Sequence, residues 1–437
     1  MSLLIISPDY ASHLLPLATL GNAWREAGER VVVATGSATA GIVDSFGFER
    51  EQLQLGRGSN PGVIRAEDQP RGEDDALRGF FDATRIGMVE TLSFQAAARS
   101  SDLLWNPVEV ARDVQRIVER VRPDHVIVDH LAFSARLALI SSGVRHADVV
   151  LGHPTALPVG SEVYGSPTTW PDAFLPGDDE LQALHRLCER VRDDFTSQWN
   201  DAMRELDGAG PTTDDAFGES GDVLLLNYPG ELHDEARGLQ LPPHAFLGSA
   251  VREEARDGEV EAWLDASSAP IVYVSFGSFL SVRSDVLARV ADALRGLDVR
   301  VAIATGSTAP ARLGPVPASW LVRGYLPQVR LLDGAVLAVS HGGNNSVTEA
   351  MTAGVPLLLL PFSTDQFAGA AAVELAGFGE ALDPNAATVP ELRDAALRLL
   401  GLGADSRAGL DRLGESLRGG TGPRRARDAL FTVPAAT

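Results

Sequence analysis

The residues best suited to chemistry lie between Tyr325 and Gln366. An apolar strand, Val336–Ser340, runs into a glycine-rich turn, His341–Asn345, which opens a helix over about Ser346–Ala353 that Gly354 ends. A second apolar run, Val355–Leu360, closes on Pro361 and leads to the adjacent pair Asp365 and Gln366. Such a strand, turn and helix N-terminus suit phosphate. Backbone N–H groups and the helix dipole face an anion there, and glycine lets a ligand approach the backbone. Glu349, one turn into the helix, has the acceptors a ribose needs, and Asp365 with Gln366 offers acceptors and donors to sugar hydroxyls. These groups predict a site for a sugar carried on a nucleoside diphosphate.

A second set of groups lies far away in sequence. His13 follows an apolar strand, Leu3–Ile6, and an imidazole can act as a base near neutral pH. Asp129 ends the Val126–Val128 strand, which the same parallel sheet would place on the same side. A carboxylate there can accept from the imidazole, fix its tautomer and stabilise the imidazolium. Sugar transfer with inversion needs such a base for the acceptor's proton and donors for the departing diphosphate, through an oxocarbenium-like transition state. Alternation at the strand end predicts that His130 points elsewhere.

Elements that must position these groups follow from the pattern. Leu3–Ile6, a helix over His13–Ala27 closed by Gly28, and Val31–Ala34 read as β-α-β. Val126–Val128, a helix over Leu131–Ile140, and Asp148–Leu151 continue it, and Val223–Asn227 reads as the last strand of this half. The pattern restarts with Ile271–Ser275, a helix near Asp285–Leu294, and Val299–Ala304. Alternating strands and helices predict an α/β chain with two Rossmann-like domains, whose ligands bind beyond the carboxyl ends of parallel strands. The expected divisions are 1–235, a linker 236–262, a second domain 263–420, and a helix and tail 421–437. Two stretches, 49–111 and 157–179, read as long irregular excursions.

The segments HGGNNSVTE, AGVPLLLLPFSTDQ and GYLPQ, with VYVSFGS (Val272–Ser278) and SHLLPLATL (Ser12–Leu20), closely resemble the signature of the family-1, UDP-glycosyltransferase-like enzymes. That family includes plant secondary-product and actinobacterial natural-product glycosyltransferases. The resemblance implies the GT-B arrangement, two such domains facing across a cleft, with a last helix that crosses back onto the first domain. It implies His13 and Asp129 as a catalytic dyad. Tyr325 would stack on the base, with Gln328 near base and ribose. His341, with the backbone of Gly343, Asn345 and Ser346 and the Ser278 hydroxyl, would hold diphosphate. Glu349 would take ribose, and Asp365 and Gln366 the sugar. It implies no metal and no cofactor, the UDP- or dTDP-hexose being a co-substrate. Two departures are Ser12, where relatives carry Gly, and Asn344, where many plant relatives carry Trp.

Composition narrows the class. The 437 residues suggest two or three domains, and 45% hydrophobic with 22% charged residues is ordinary for a globular protein. A net charge of −22 argues against nucleic-acid partners, which basic surfaces hold. All 37 basic residues are arginine, which excludes a P-loop lysine or a lysine Schiff base. A lone Cys188, no membrane-length apolar run and no basic leader predict a cytoplasmic protein, monomer or homodimer, away from membranes. Phe80, Phe81, Trp105, Phe133, Tyr164, Trp170 and Phe174 predict an apolar pocket for a small lipophilic acceptor. The alternatives are a nucleotide-sugar epimerase or lipid-acceptor transferase of the same fold, or a catalytically silent helper of a partner transferase.

Overall fold

The computed structural model describes residues 1–60, 62 and 73–432. It contains two parallel sheets. The first has β1 (Ser2–Ile6), β2 (Arg30–Thr35), β3 (Glu49–Gln52), β4 (His125–Asp129), β5 (Ala147–Val150), β6 (Val223–Leu226) and β7 (His244–Phe246), in the order β3-β2-β1-β4-β5-β6-β7. The second has β8 (Ile271–Ser275), β9 (Arg300–Ala304), β10 (Leu321–Arg323), β11 (Ala335–Ser340), β12 (Leu357–Leu359) and β13 (Gly379–Ala381), in the order β10-β9-β8-β11-β12-β13. The central strands are buried on both faces, which is why they read as continuous apolar runs such as LLII, IVYV and LLL.

In each sheet the order reverses beside the first strand, and there the loops part to opposite faces and leave a crevice. β1 pairs with both β2 and β4, and Ile6 lies beside Val128, so the loops after β1 and β4 emerge together. In the second sheet β8 pairs with β9 and β11, and Ser275 lies beside Ser340. His13, Asp129 and the glycine-rich turn sit at these two switch points, while Tyr325 follows β10 and Asp365 follows β12.

Three sequence readings need correction. The interval 49–111 is not irregular: it holds β3, helices Glu73–Ile86 and Met88–Asp102, and the start of Pro107–Val121, with residues 61 and 63–72 outside the described residues. On helix Glu73–Ile86 the pairs Arg78–Asp75 and Arg85–Asp82 lie on the solvated face, and Leu77, Phe80, Phe81 and Thr84 keep the i, i+3, i+4, i+7 spacing of a buried face. That face packs on the second domain, in one core with Val272, Val274 and Phe276. Buried Arg283 secures the contact, donating to the Thr84 carbonyl in the last turn of helix Glu73–Ile86 at 2.9 Å, where a cation suits the dipole. Val223–Asn227 is not the last strand of its half, because β7 continues the sheet inside the stretch read as linker. The same stretch holds helix Glu235–Gly238 and the start of Gly258–Asp265. The final helix, Gly422–Thr432, returns to the first domain, burying Ala426 in one core with Leu17 and Leu247.

Behind β4, Arg136 and Asp148 form a fully buried ion pair, Nε to Oδ1 at 3.2 Å. Arg136 also donates to the His130 carbonyl at 3.1 Å, and Asp148 accepts the Gly221 N–H at 3.0 Å. Removing one partner strands a buried charge. Arg136→Met is expected to lower unfolding free energy by about 3–5 kcal/mol in urea titrations. The exposed Arg145–Asp222 pair serves as control: Arg145→Met should cost under about 1 kcal/mol. Equal losses at both sites would contradict the assignment.

Candidate active site

Helix Ala11–Glu26 begins four residues after β1 and presents His13 in its first turn. His13 Nδ1 lies 2.8 Å from Asp129 Oδ2, at the end of β4. The imidazole is 26% exposed and the carboxylate 1%. The other carboxylate oxygen accepts the Leu131 N–H at 2.8 Å, so Asp129 is fixed at both ends. The Asp129 carboxylate accepts a hydrogen bond from His13 Nδ1–H, which leaves the Nε2 lone pair of neutral His13 to face a substrate. Burial pulls the His13 pKa down, but the charge and hydrogen bond of Asp129, helped by Asp365, outweigh it and raise the pKa above 6.5. His130 borders the same cavity, but both its ring nitrogens are buried and its ring meets Phe133 edge-on; burial and Arg136 drive its pKa well down.

A cavity of about 990 Å³ opens between the two sheets, with His13 and Asp129 on one wall. Opposite lie Tyr325, Gln328, His341, Gly343, Asn345, Ser346, Asp365 and Gln366. The structure therefore brings two distant groups of predicted residues to one space. Helix Asn344–Ala353 follows β11, and its N-cap, Gly343, makes no side-chain cap bond, so the first-turn amides suit an anion. A Cβ on Gly343 would sit 2.4 Å from His341 Nε2, which makes glycine a steric requirement there. Burial lowers the His341 pKa to about 4, so its ring is neutral and can donate an N–H without carrying charge. The side chain of Ser278 lies outside the described residues.

Glu349 is buried and joined to Gln328, whose Nε2 donates to Oε2 at 2.5 Å. Burial raises the Glu349 pKa, and Arg252 and Gln328 act against that. Tyr325 is 64% exposed and keeps an open aromatic face. Asp365 reaches across the cleft, its Oδ2 accepting the His153 N–H at 2.5 Å. Gln366 is occupied within its own turn, accepting the Phe362 and Ser363 N–H groups at 3.0 and 3.2 Å and donating to Ser363 Oγ at 3.0 Å. That turn holds Thr364 at φ 50, a strained conformation for a β-branched residue.

Asn344 and Asn345 dock the turn on the first domain. Asn344 Nδ2 donates to the Asn227 carbonyl at 2.8 Å, and Asn345 Nδ2 to the Ser12 carbonyl at 3.2 Å. The second bond has a cause in sequence: Pro16 has no N–H to offer the carbonyl four residues earlier, so Ser12 O is left for Asn345.

Of the expected acceptor aromatics, Phe80 and Tyr164 line the cavity. The rest are corrections. Phe81 is buried against the second domain, and Phe133 packs with Phe195 and Phe217. Phe174 meets Phe367, Trp105 packs beneath the first sheet, and Trp170 faces a separate depression with Pro167 and Leu181. Aromatic type alone does not tell a core ring from a lining one. The sequence reading missed Leu15, Ile42 and Leu92 on the cavity wall, and also Arg252 and Gln95.

Comparison with known proteins agrees with the fold and with the sequence motifs. Residues 185–401 match the family described as UDP-glucoronosyl and UDP-glucosyl transferase. The chain is 23% identical to NDP-glycosyltransferase YjiC of Bacillus licheniformis over 66% of each protein. It is 25% identical to 4'-demethylrebeccamycin synthase of Lentzea aerocolonigenes over 89% of each. For the first three curated relatives the matched stretch spans between 38% and 66% of their length. The crystal structure of the glycotransferase of kitacinnamycin superposes with a TM-score of 0.71 at 20% identity over 99% of both chains. The resemblance drawn from the motifs and the GT-B fold it implied are both borne out.

The dyad gives a pH signature. Because neutral His13 is the base, kcat/KM should rise with pH and level off above a pKa higher than 6.5. Asp129→Asn removes the charge that raises this pKa, so burial then moves the limb to lower pH while the plateau falls about 10²–10³-fold. A limb that stays in place in the variant would separate Asp129 from the base.

Proposed function

We propose that this chain, which matches the family described as UDP-glucoronosyl and UDP-glucosyl transferase over residues 185–401, is an inverting, metal-independent enzyme that moves a hexose from a UDP- or dTDP-sugar to a hydroxyl of a small lipophilic natural product. The observation that carries the reading is the His13–Asp129 pair at 2.8 Å, facing a glycine-rich helix N-terminus across one cavity. In the proposed step the acceptor oxygen attacks the anomeric carbon from the side opposite the diphosphate. Its proton passes to His13 Nε2, and the bond from carbon to diphosphate oxygen breaks with its electron pair going to the diphosphate. Asp129 steadies the imidazolium and is not a nucleophile, since both its oxygens are engaged. This favours a single displacement.

On the donor side, the first-turn amides of helix Asn344–Ala353 and the neutral His341 meet the growing charge on the diphosphate. Tyr325 takes the base, Gln328 and Glu349 the ribose, and Asp365 and Gln366 the hexose, which must displace the bonds from Asp365 to His153 N and from Gln366 Nε2 to Ser363 Oγ. On the acceptor side, Leu15, Ile42, Phe80, Leu92 and Tyr164 give the apolar wall a lipophilic molecule needs. Similarity to 4'-demethylrebeccamycin synthase supports a natural-product acceptor. Among the described residues no helix is long and apolar enough to cross a membrane. The cytoplasm is the proposed compartment.

His13→Ala should lower kcat by about 10²–10⁴-fold while leaving nucleotide affinity unchanged, measured by release of nucleoside diphosphate and by calorimetry. Retained turnover would remove His13 as the base. Dialysis against EDTA should leave activity intact, and loss restored by a divalent cation would overturn metal independence.

A further inference from the structure

Glu349 is the residue expected to receive the ribose, yet both of its oxygens already have partners. Oε2 accepts the Gln328 amide at 2.5 Å, and Oε1 accepts Arg252 Nη1 at 2.8 Å. Arg252 comes from the segment that joins the two domains, between β7 and helix Gly258–Asp265, and lines the cavity.

The two partners differ in how readily they give way. Gln328 is neutral, and its carbonyl end meets the Tyr273 hydroxyl at a long 3.3 Å. Arg252 is charged, its side chain is 19% exposed, and the Glu349 side chain is 4% exposed. Glu254 grips the guanidinium from the far side, accepting Nε at 3.1 Å and Nη2 at 3.0 Å. Glu254 is itself tied down, since its Oε2 accepts the Arg330 N–H at 3.2 Å. The guanidinium is thus held in a planar fork between two carboxylates and has no slack to retreat. Separating so desolvated a pair would leave a carboxylate uncompensated away from water, whereas a neutral hydrogen bond exchanges easily for another.

A sugar hydroxyl both donates and accepts. One hydroxyl can therefore enter between Gln328 Nε2 and Glu349 Oε2, accepting from the first and donating to the second. A vicinal second hydroxyl would have to share Oε1 with the Arg252 guanidinium, and so compete with a charge-assisted bond of 2.8 Å. Ribose carries both hydroxyls, and 2′-deoxyribose carries only the 3′-hydroxyl. We infer that Arg252 makes this site selective for 2′-deoxyribonucleoside diphosphates, so that the donor is a dTDP-type and not a UDP-type sugar; this rests on the donor-site reading above. Arg252 touches none of the reacting atoms. It acts as a specificity residue through Glu349.

Four probes separate the sugar from the base: UDP, dUDP, 5-methyl-UDP and dTDP, each titrated calorimetrically into the full chain. The expected result is that dUDP binds at least about tenfold tighter than UDP, and dTDP at least about tenfold tighter than 5-methyl-UDP, a difference of roughly 1.4 kcal/mol in each pair. Arg252→Gln should collapse both ratios toward one by strengthening the ribose forms. Glu254→Gln, which loosens Arg252 without removing it, should shift them the same way and guards against a folding defect in the first variant. Equal affinity within each pair in the wild-type chain, or ratios unmoved in both variants, would overturn the inference while leaving the donor site standing. Binding of none of the four would remove the donor site itself, and this inference with it.

Discussion

A parallel sheet delivers the loop after every strand to the same edge, and this molecule turns two such edges toward each other. Everything at the site depends on that constraint. The chain separates His13 from Asp129 by more than a hundred residues, yet the pairing of β1 with β4 places the segments that carry them side by side. The pairing of β8 with β11 does the same for the glycine-rich turn. Each pair flanks a switch point in strand order, and residues from both line one cavity. The arm formed by helices Glu73–Ile86 and Met88–Asp102 bridges the two domains through the buried Arg283 contact, and the final helix bridges them again from the other end.

Within that frame, buried carboxylates organise the chemistry, and each is matched differently. Asp148 has Arg136, a permanent charge behind the wall. Asp129 has His13, a charge that can come and go near neutral pH. Glu349 has Arg252 on one oxygen and a neutral amide on the other, so one side is fixed and one is open to exchange. A chain whose only strong cations are arginines suits this use, since the planar guanidinium can be gripped from two sides at once.

The fold and much of the site were legible in the sequence. Continuous apolar runs marked the central strands because parallel strands are buried on both faces. The turn at His341–Asn345 was legible because backbone chemistry fixes its glycines, as the crowding of Gly343 against His341 makes plain. The helical arm was not legible. Its apolar face meets the other domain, so its charged residues gave the look of a loop, while the spacing of Leu77, Phe80 and Phe81 held the signal. Arg252 was invisible for a different reason. It lies in a charged run with no motif, and its significance comes from Glu349, which is 97 residues further along the chain. The acceptor aromatics failed in the same way, since Phe133 and Phe174 differ from Phe80 only in what surrounds them.

The central claim is that Asp129 holds His13 as a base with its Nε2 lone pair facing the cleft. Two-dimensional proton–nitrogen spectra of the protein labelled at histidine nitrogen, assigned by loss of one set of signals in His13→Ala, report this directly. The account predicts that neutral His13 carries its proton on Nδ1 and titrates with a midpoint above 6.5. A proton on Nε2, or a midpoint below 6.5, would contradict it.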